Sequence, residues 1–117
     1  MGFKLASSHE HDPYALAVGP SNQFGDTFGY NAVCQKVVSE EGWSVVWNAQ
    51  ASTTYAYKDR DWLTFENERS AREKAHYARE SGLAGVMAFA FHADDYLGEC
   101  GGGRYPLINA MRGALFQ

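Results

Sequence analysis

Several groups of residues in this chain are of types that could do chemistry. His9-Glu10-His11-Asp12 offers imidazoles and carboxylates, both ligand types for a transition metal. They are contiguous in a turn-rich stretch, and no further cluster completes a coordination shell, so the segment reads as a solvated loop. His92, Asp94 and Asp95 directly follow a long apolar run. If that run is a buried parallel strand, they stand at its C-terminal end, where β/α-barrel sites gather. The two aspartates would equally suit the task of securing the loop that follows, and both readings stand. Gly101-Gly102-Gly103 lacks the Lys-Ser/Thr ending of a phosphate loop and reads as a turn. Trp43, Trp47 and Trp62 could stack on sugar rings, although alternation along their strands makes at least one of them core. Cys34 and Cys100 could be free thiols or one long-range disulfide, and spacing alone does not decide between these.

The bulk properties narrow the class. A chain of 117 residues allows one domain. The net charge of −4 provides no basic footprint for nucleic acid or an anionic membrane. No apolar stretch reaches membrane-spanning length. The apolar part of Met1-Gly2-Phe3-Lys4-Leu5 is too short for a signal peptide. No cofactor motif is evident. An aromatic fraction of 15% is compatible with planar carbohydrate contacts as well as with a core rich in rings.

The elements that must position these residues follow from pattern. Phe3 and Leu5 alternate with polar neighbours and predict a short strand. An irregular loop with Pro13 and Pro20 follows, holding an extended piece near residues 14–18. Asp26 or Thr27 offers an N-cap for a helix to about Val38, with Tyr30, Val33, Cys34 and Val37 on one face. Residues 43–48, 53–58 and 61–65 are rich in Trp, Val, Thr and Tyr and predict an antiparallel meander. Asn67 caps a helix to about Ser81 with Ala71, Ala75 and Ala78 as a narrow stripe, and Gly82 falls at its C-cap. Residues 82–91 then form a glycine stop and an apolar run, the mark of a strand buried on both faces. Pro106 opens a last helix with Leu107, Ala110, Met111 and Leu115 inward.

That order contains a mismatch. A strand buried on both faces needs parallel neighbours, and this chain does not supply them. A self-standing small domain would instead have to shelter the run within its own architecture.

The matching pieces Phe3-Lys4-Leu5-Ala6-Ser7-Ser8, Tyr55-Ala56-Tyr57-Lys58, Gly82-Leu83-Ala84-Gly85-Val86-Met87, Asp94-Asp95-Tyr96 and Arg104-Tyr105-Pro106-Leu107-Ile108 occur in an order that resembles the C-terminal part of glycoside hydrolase family 18 chitinases and chitinase-like proteins. The resemblance implies an α+β fragment of a (β/α)8 TIM barrel. Residues 1–7 would end barrel strand seven, residues 8–66 would be the inserted α+β domain, and residues 67–117 the final helix–strand–helix. It also implies that Cys34 pairs with Cys100, that the protein is secreted, that the rest of the barrel lies upstream, and that the intact protein acts on or binds chitin or chito-oligosaccharides.

The family's chemistry uses an Asp-x-x-Asp-x-Asp-x-Glu strand whose Glu protonates the glycosidic oxygen, while the substrate's own N-acetyl oxygen attacks the anomeric carbon. This chain holds no such motif, as expected if that strand lies upstream, so this piece alone should not hydrolyse. The resemblance places Phe89 where family enzymes carry a Trp beneath the sugar, and His92 where an Asp is usual. Phe24 and Thr27 fall at positions of sugar contacts in some chitinases. Phe89, His92, Asp94 and Thr27 are thus the expected substrate-binding residues, in either a weak enzyme or a catalytically silent chitin-binding relative.

Overall fold

A computed structural model describes residues 1–25 and 27–117; the expected N-cap Asp26 lies outside the described residues. The chain forms two compact units, one of Met1–Phe28 with Lys36–Phe65 and one of Gly29–Gln35 with Glu66–Gln117.

The first unit is a five-stranded sheet of β1 (Gly2–Leu5), β2 (Ala17–Pro20), β3 (Ser44–Asn48), β4 (Thr53–Lys58) and β5 (Asp61–Phe65), in spatial order β2-β1-β5-β4-β3. Every pairing is antiparallel. The expected meander is therefore present. The extended piece starts later than expected: the Asp12 side chain and carbonyl take the Tyr14 and Ala15 amides, and this turn delays the strand to Ala17.

Register sorts the side chains. Ala56 opposes Leu63, and Leu63 opposes Gly2. Ala56 and Leu63 are fully buried. Gly2 is needed because a Cβ there would stand 2.9 Å from the Gly25 carbonyl oxygen. On the opposite parity, Trp62 lies 6.1 Å from Phe3 and 5.2 Å from Tyr55 between ring centroids. His11 stacks on Tyr57 at 4.0 Å, and its main-chain oxygen accepts the Trp62 indole N–H at 2.9 Å. His11 Nε2 also lies 2.8 Å from the Asp59 carbonyl oxygen. The His9–Asp12 stretch thus packs over this aromatic row, and the ring faces of the row are taken up by one another.

The second unit is built on α2 (Glu68–Glu80) and α3 (Pro106–Leu115), which pack together. Asn67 and Ser70 form a reciprocal capping box at the start of α2. Ala71, Ala75 and Ala78 are buried as expected. At the far end, Gly82 takes φ +69°, its amide bonds to the Arg79 carbonyl and the Leu83 amide bonds to the Ala78 carbonyl, a Schellman stop. Helix α1 (Tyr30–Ser39) gives its first half to this unit and its second half to the sheet unit. It begins later than expected because the Gly29 carbonyl, which accepts the Ala32 and Val33 amides, closes the first turn in place of the Thr27 side chain.

The apolar run departs most from expectation. Residues 84–90 form no strand; they are irregular, with bends at Ala84 and Phe89, and largely exposed, ending in a single 3₁₀ turn at Phe91–Ala93. A strand exists only through its partners, and none of the described residues pairs with this one.

Beyond that turn, two buried carboxylates organise the loop into α3. Asp94 is 4% exposed; its oxygens accept the amides of Asp95 (2.8 Å), Leu107 (3.3 Å) and Ile108 (3.1 Å). It is thus a remote N-cap for α3, whose adjacent residue Tyr105 is left-handed and supplies no side-chain cap. Asp95 accepts the Glu99 and Cys100 amides at 3.0 and 2.9 Å. Cys100 is joined to Cys34 in a disulfide with a Cα–Cα distance of 6.0 Å.

Replacing Asp94 by Ala should cost about 1–2 kcal/mol in urea unfolding, with hydrogen-exchange protection lost first in the opening turn of α3. Converting Cys34 and Cys100 to Ser should remove about 4 kcal/mol on the chain-entropy model for so long a loop. An unchanged denaturation midpoint in either variant would contradict these assignments.

Candidate functional site

The residues expected to meet sugar can now be placed. Phe89 sits in the unpaired ribbon and is 92% exposed; its peptide bond to Ala90 is cis. Met87 is 84% exposed, and Leu83 and Phe91 are also open, so several large apolar side chains of this stretch face solvent. Ala84 and Ala88 are exposed too, Val86 is 37% exposed and Ala90 is half-buried.

His92 follows on the 3₁₀ turn with an exposed side chain, while its main-chain oxygen accepts the Asn31 side-chain amide at 3.3 Å. Asp94 belongs to the same unit, but its carboxylate points inward and bonds to backbone amides. Thr27 belongs to the sheet unit and is exposed. Phe24, in the same unit, packs at 5.2 Å from Phe28 and 6.2 Å from Trp43. Trp43 also donates its indole N–H to Glu40.

Tyr30 opens α1 in the second unit. Burial pushes its phenol above the usual tyrosine range, and the negative charges of Glu68, Asp94 and Asp95 push it the same way.

Cys34, Asp95 and Cys100 bring three ligand-type atoms within 4.8 Å of one another. Both sulfurs are spent in the disulfide and the Asp95 oxygens on amides, so the cluster presents no thiolate to a metal. The end of the ribbon offers an apolar platform and an imidazole. Its two aspartates are committed to the backbone, so binding rather than acid catalysis is the chemistry these residues support.

Sequence reasoning missed a small cleft beside the 3₁₀ turn, lined by Asn31, Gln35, Asp95, Tyr96, Leu97 and Glu99. The available signal was the pair Asn31 and Gln35, one helical turn apart and flanking Cys34, whose bond partner adjoins Glu99.

Comparison with known proteins bears on the family and the fold. Residues 1–94 match the family described as Glycosyl hydrolases family 18. The chain is 31% identical over 109 residues to an endochitinase of Manduca sexta, covering 92% of this chain and 18% of the relative. Its fold matches a Group IV chitinase of Ostrinia furnacalis with a TM-score of 0.89 and 27% identity, over 99% of this chain and 33% of that one. It also matches human YKL-39, described as a pseudo-chitinase with retained chitooligosaccharide binding, with a TM-score of 0.87 and 25% identity, over 99% of this chain and 32% of that one. The chain thus spans about a fifth of the curated relative and a third of the solved chains. By the match of residues 1–94 to the family and by its likeness to the endochitinase, it belongs to glycosyl hydrolase family 18.

Proposed function

We propose that this chain is the C-terminal part of a family 18 protein that hydrolyses or binds chitin, and that its share of the work is to hold the sugar. The carrying observation is the ribbon of residues 84–91. It is apolar, unpaired and open, in a chain that overlays a third of a solved chitinase. Preceding barrel strands would pair with its edges and turn its C-terminal end toward substrate. On this reading residues 1–7 end barrel strand seven, residues 8–66 are the inserted α+β domain, and residues 67–117 close the barrel.

Phe89 then offers an apolar face beneath a sugar ring. His92 stands beside it as a hydrogen-bonding group, and Thr27 supplies a hydroxyl from the insert. Asp94 acts by position: it anchors α3 and so fixes the turn that carries His92. No residue of this chain is assigned as the acid. The disulfide suits a secreted protein, and the two aromatic-for-indole and imidazole-for-carboxylate departures at Phe89 and His92 favour a weak enzyme or a silent binder within the family. The upstream coding sequence separates these: an intact Asp-x-x-Asp-x-Asp-x-Glu strand favours the enzyme, and a replaced Glu favours the binder.

The isolated 117-residue chain should release no fluorophore from a chito-oligosaccharide substrate above background; turnover would mean that an acid resides in these residues. The same chain should strongly enhance the fluorescence of a hydrophobic dye, and the double variant Met87→Lys, Phe89→Asp should abolish most of that signal. A wild-type chain that leaves the dye dark would show the ribbon covered by the chain itself.

A further inference from the structure

The ribbon has the properties of one half of an interface. From Ala84 to Phe89, no backbone amide or carbonyl has a backbone partner among the described residues. Residues 82–91 carry no charged side chain, and Met87, Phe89 and Phe91 lie open to solvent. Unmet backbone groups bordered by uncharged apolar side chains are a template for strand pairing.

The remainder of the second unit is complete without such a partner. The reciprocal box of Asn67 and Ser70 opens α2, and the Asp94 carboxylate caps α3. Ala75, Ala78, Ala110 and Ala114 are buried. Cys34 and Cys100 are joined to each other and no cysteine is free, so no covalent link to another chain is left open. Among the described residues, no buried side-chain nitrogen or oxygen lacks a hydrogen-bond partner. The ribbon is thus the part of this unit whose order waits for something outside it.

The two open edges say what that is. Backbone groups of successive residues in a strand point to opposite edges, and here both edges are bare. A single added strand meets only one of them. An open β/α sheet one strand short of closing has two unmet edges of its own, and a strand inserted between them removes all four. The chain overlays 33% of the solved Group IV chitinase, which leaves ample chain in that fold for such a sheet.

We propose that this chain is a preformed docking module. It folds and closes its disulfide first, then inserts the ribbon as a strand between the two edges of an open β/α sheet. The partner is the preceding part of the same protein, and the join requires no covalent continuity, so the two pieces assemble when supplied separately. This rests on the reading of the chain as the C-terminal part of a family 18 barrel and adds how that part is assembled.

The test mixes the oxidised 117-residue chain with the upstream segment of its own reading frame, expressed as a separate polypeptide ending before Met1. Light scattering is expected to show a monomeric chain that forms a one-to-one complex. With the partner at about a hundred times its Kd, amide exchange of residues 86–91 should slow about a hundredfold while that of α2 and α3 stays the same. Met87→Pro and Ala88→Pro each delete one amide, on opposite edges. Each should leave the urea midpoint of the isolated chain unchanged and weaken the complex about tenfold. Weakening by only one of the two would mean that a single edge is met and would overturn the insertion. A chain that unfolds without the partner, or that protects residues 86–91 by pairing with a second copy of itself, would overturn it too. If the pieces bind or cleave chitin when joined in one polypeptide but do not associate when separate, this proposal falls and the proposed function stands. An upstream segment without family 18 sequence removes both.

Discussion

A backbone in extended form must have its N–H and C=O groups met from both sides, and a chain segment apolar on both faces must be covered on both. Among the described residues, 84–91 satisfy neither condition. Their ends are nevertheless well fixed. The Schellman stop at Gly82 releases the chain from α2 in one direction, and the 3₁₀ turn, Asp94 and Asp95 receive it on the other side. The segment is thus held at both ends and bare between them, as expected of a strand whose neighbours belong to other parts of a barrel.

The same constraint explains how polar groups are used in the second unit. Two buried carboxylates would be costly without partners. Asp94 and Asp95 meet that condition with backbone amides, tying the turn after the ribbon to α3 and to the disulfide loop. The consequence for chemistry is direct. Carboxylates whose lone pairs are filled by amides are anchors, and the side chains left exposed at this end of the ribbon are the Phe89 ring and the His92 imidazole.

Much of the local structure was legible in the residues. The meander follows from alternating Val, Trp, Thr and Tyr, and the α2 stripe from Ala71, Ala75 and Ala78 between a capping Asn67 and Gly82. The Cys34–Cys100 bond was not legible from spacing; the family resemblance implied it and the structure contains it. Other features depended on interactions that pattern does not display. The Asp12 turn delayed β2, and the Gly29 carbonyl moved the start of α1. Asp94 had two readings that only its burial and partners could separate. The ribbon has the composition of a strand, but strand formation belongs to a pair, and the partner is not in these residues. The cleft of Asn31, Gln35 and Glu99 was hidden because its walls are more than sixty residues apart in sequence.

Amide hydrogen exchange on the isolated chain tests the central claim most directly. The account predicts that residues 86–91 exchange at close to the unprotected rate while α2 and α3 remain protected by their helical bonds. Protection across residues 86–91 equal to that of the two helices, in a chain shown to be monomeric, would contradict it.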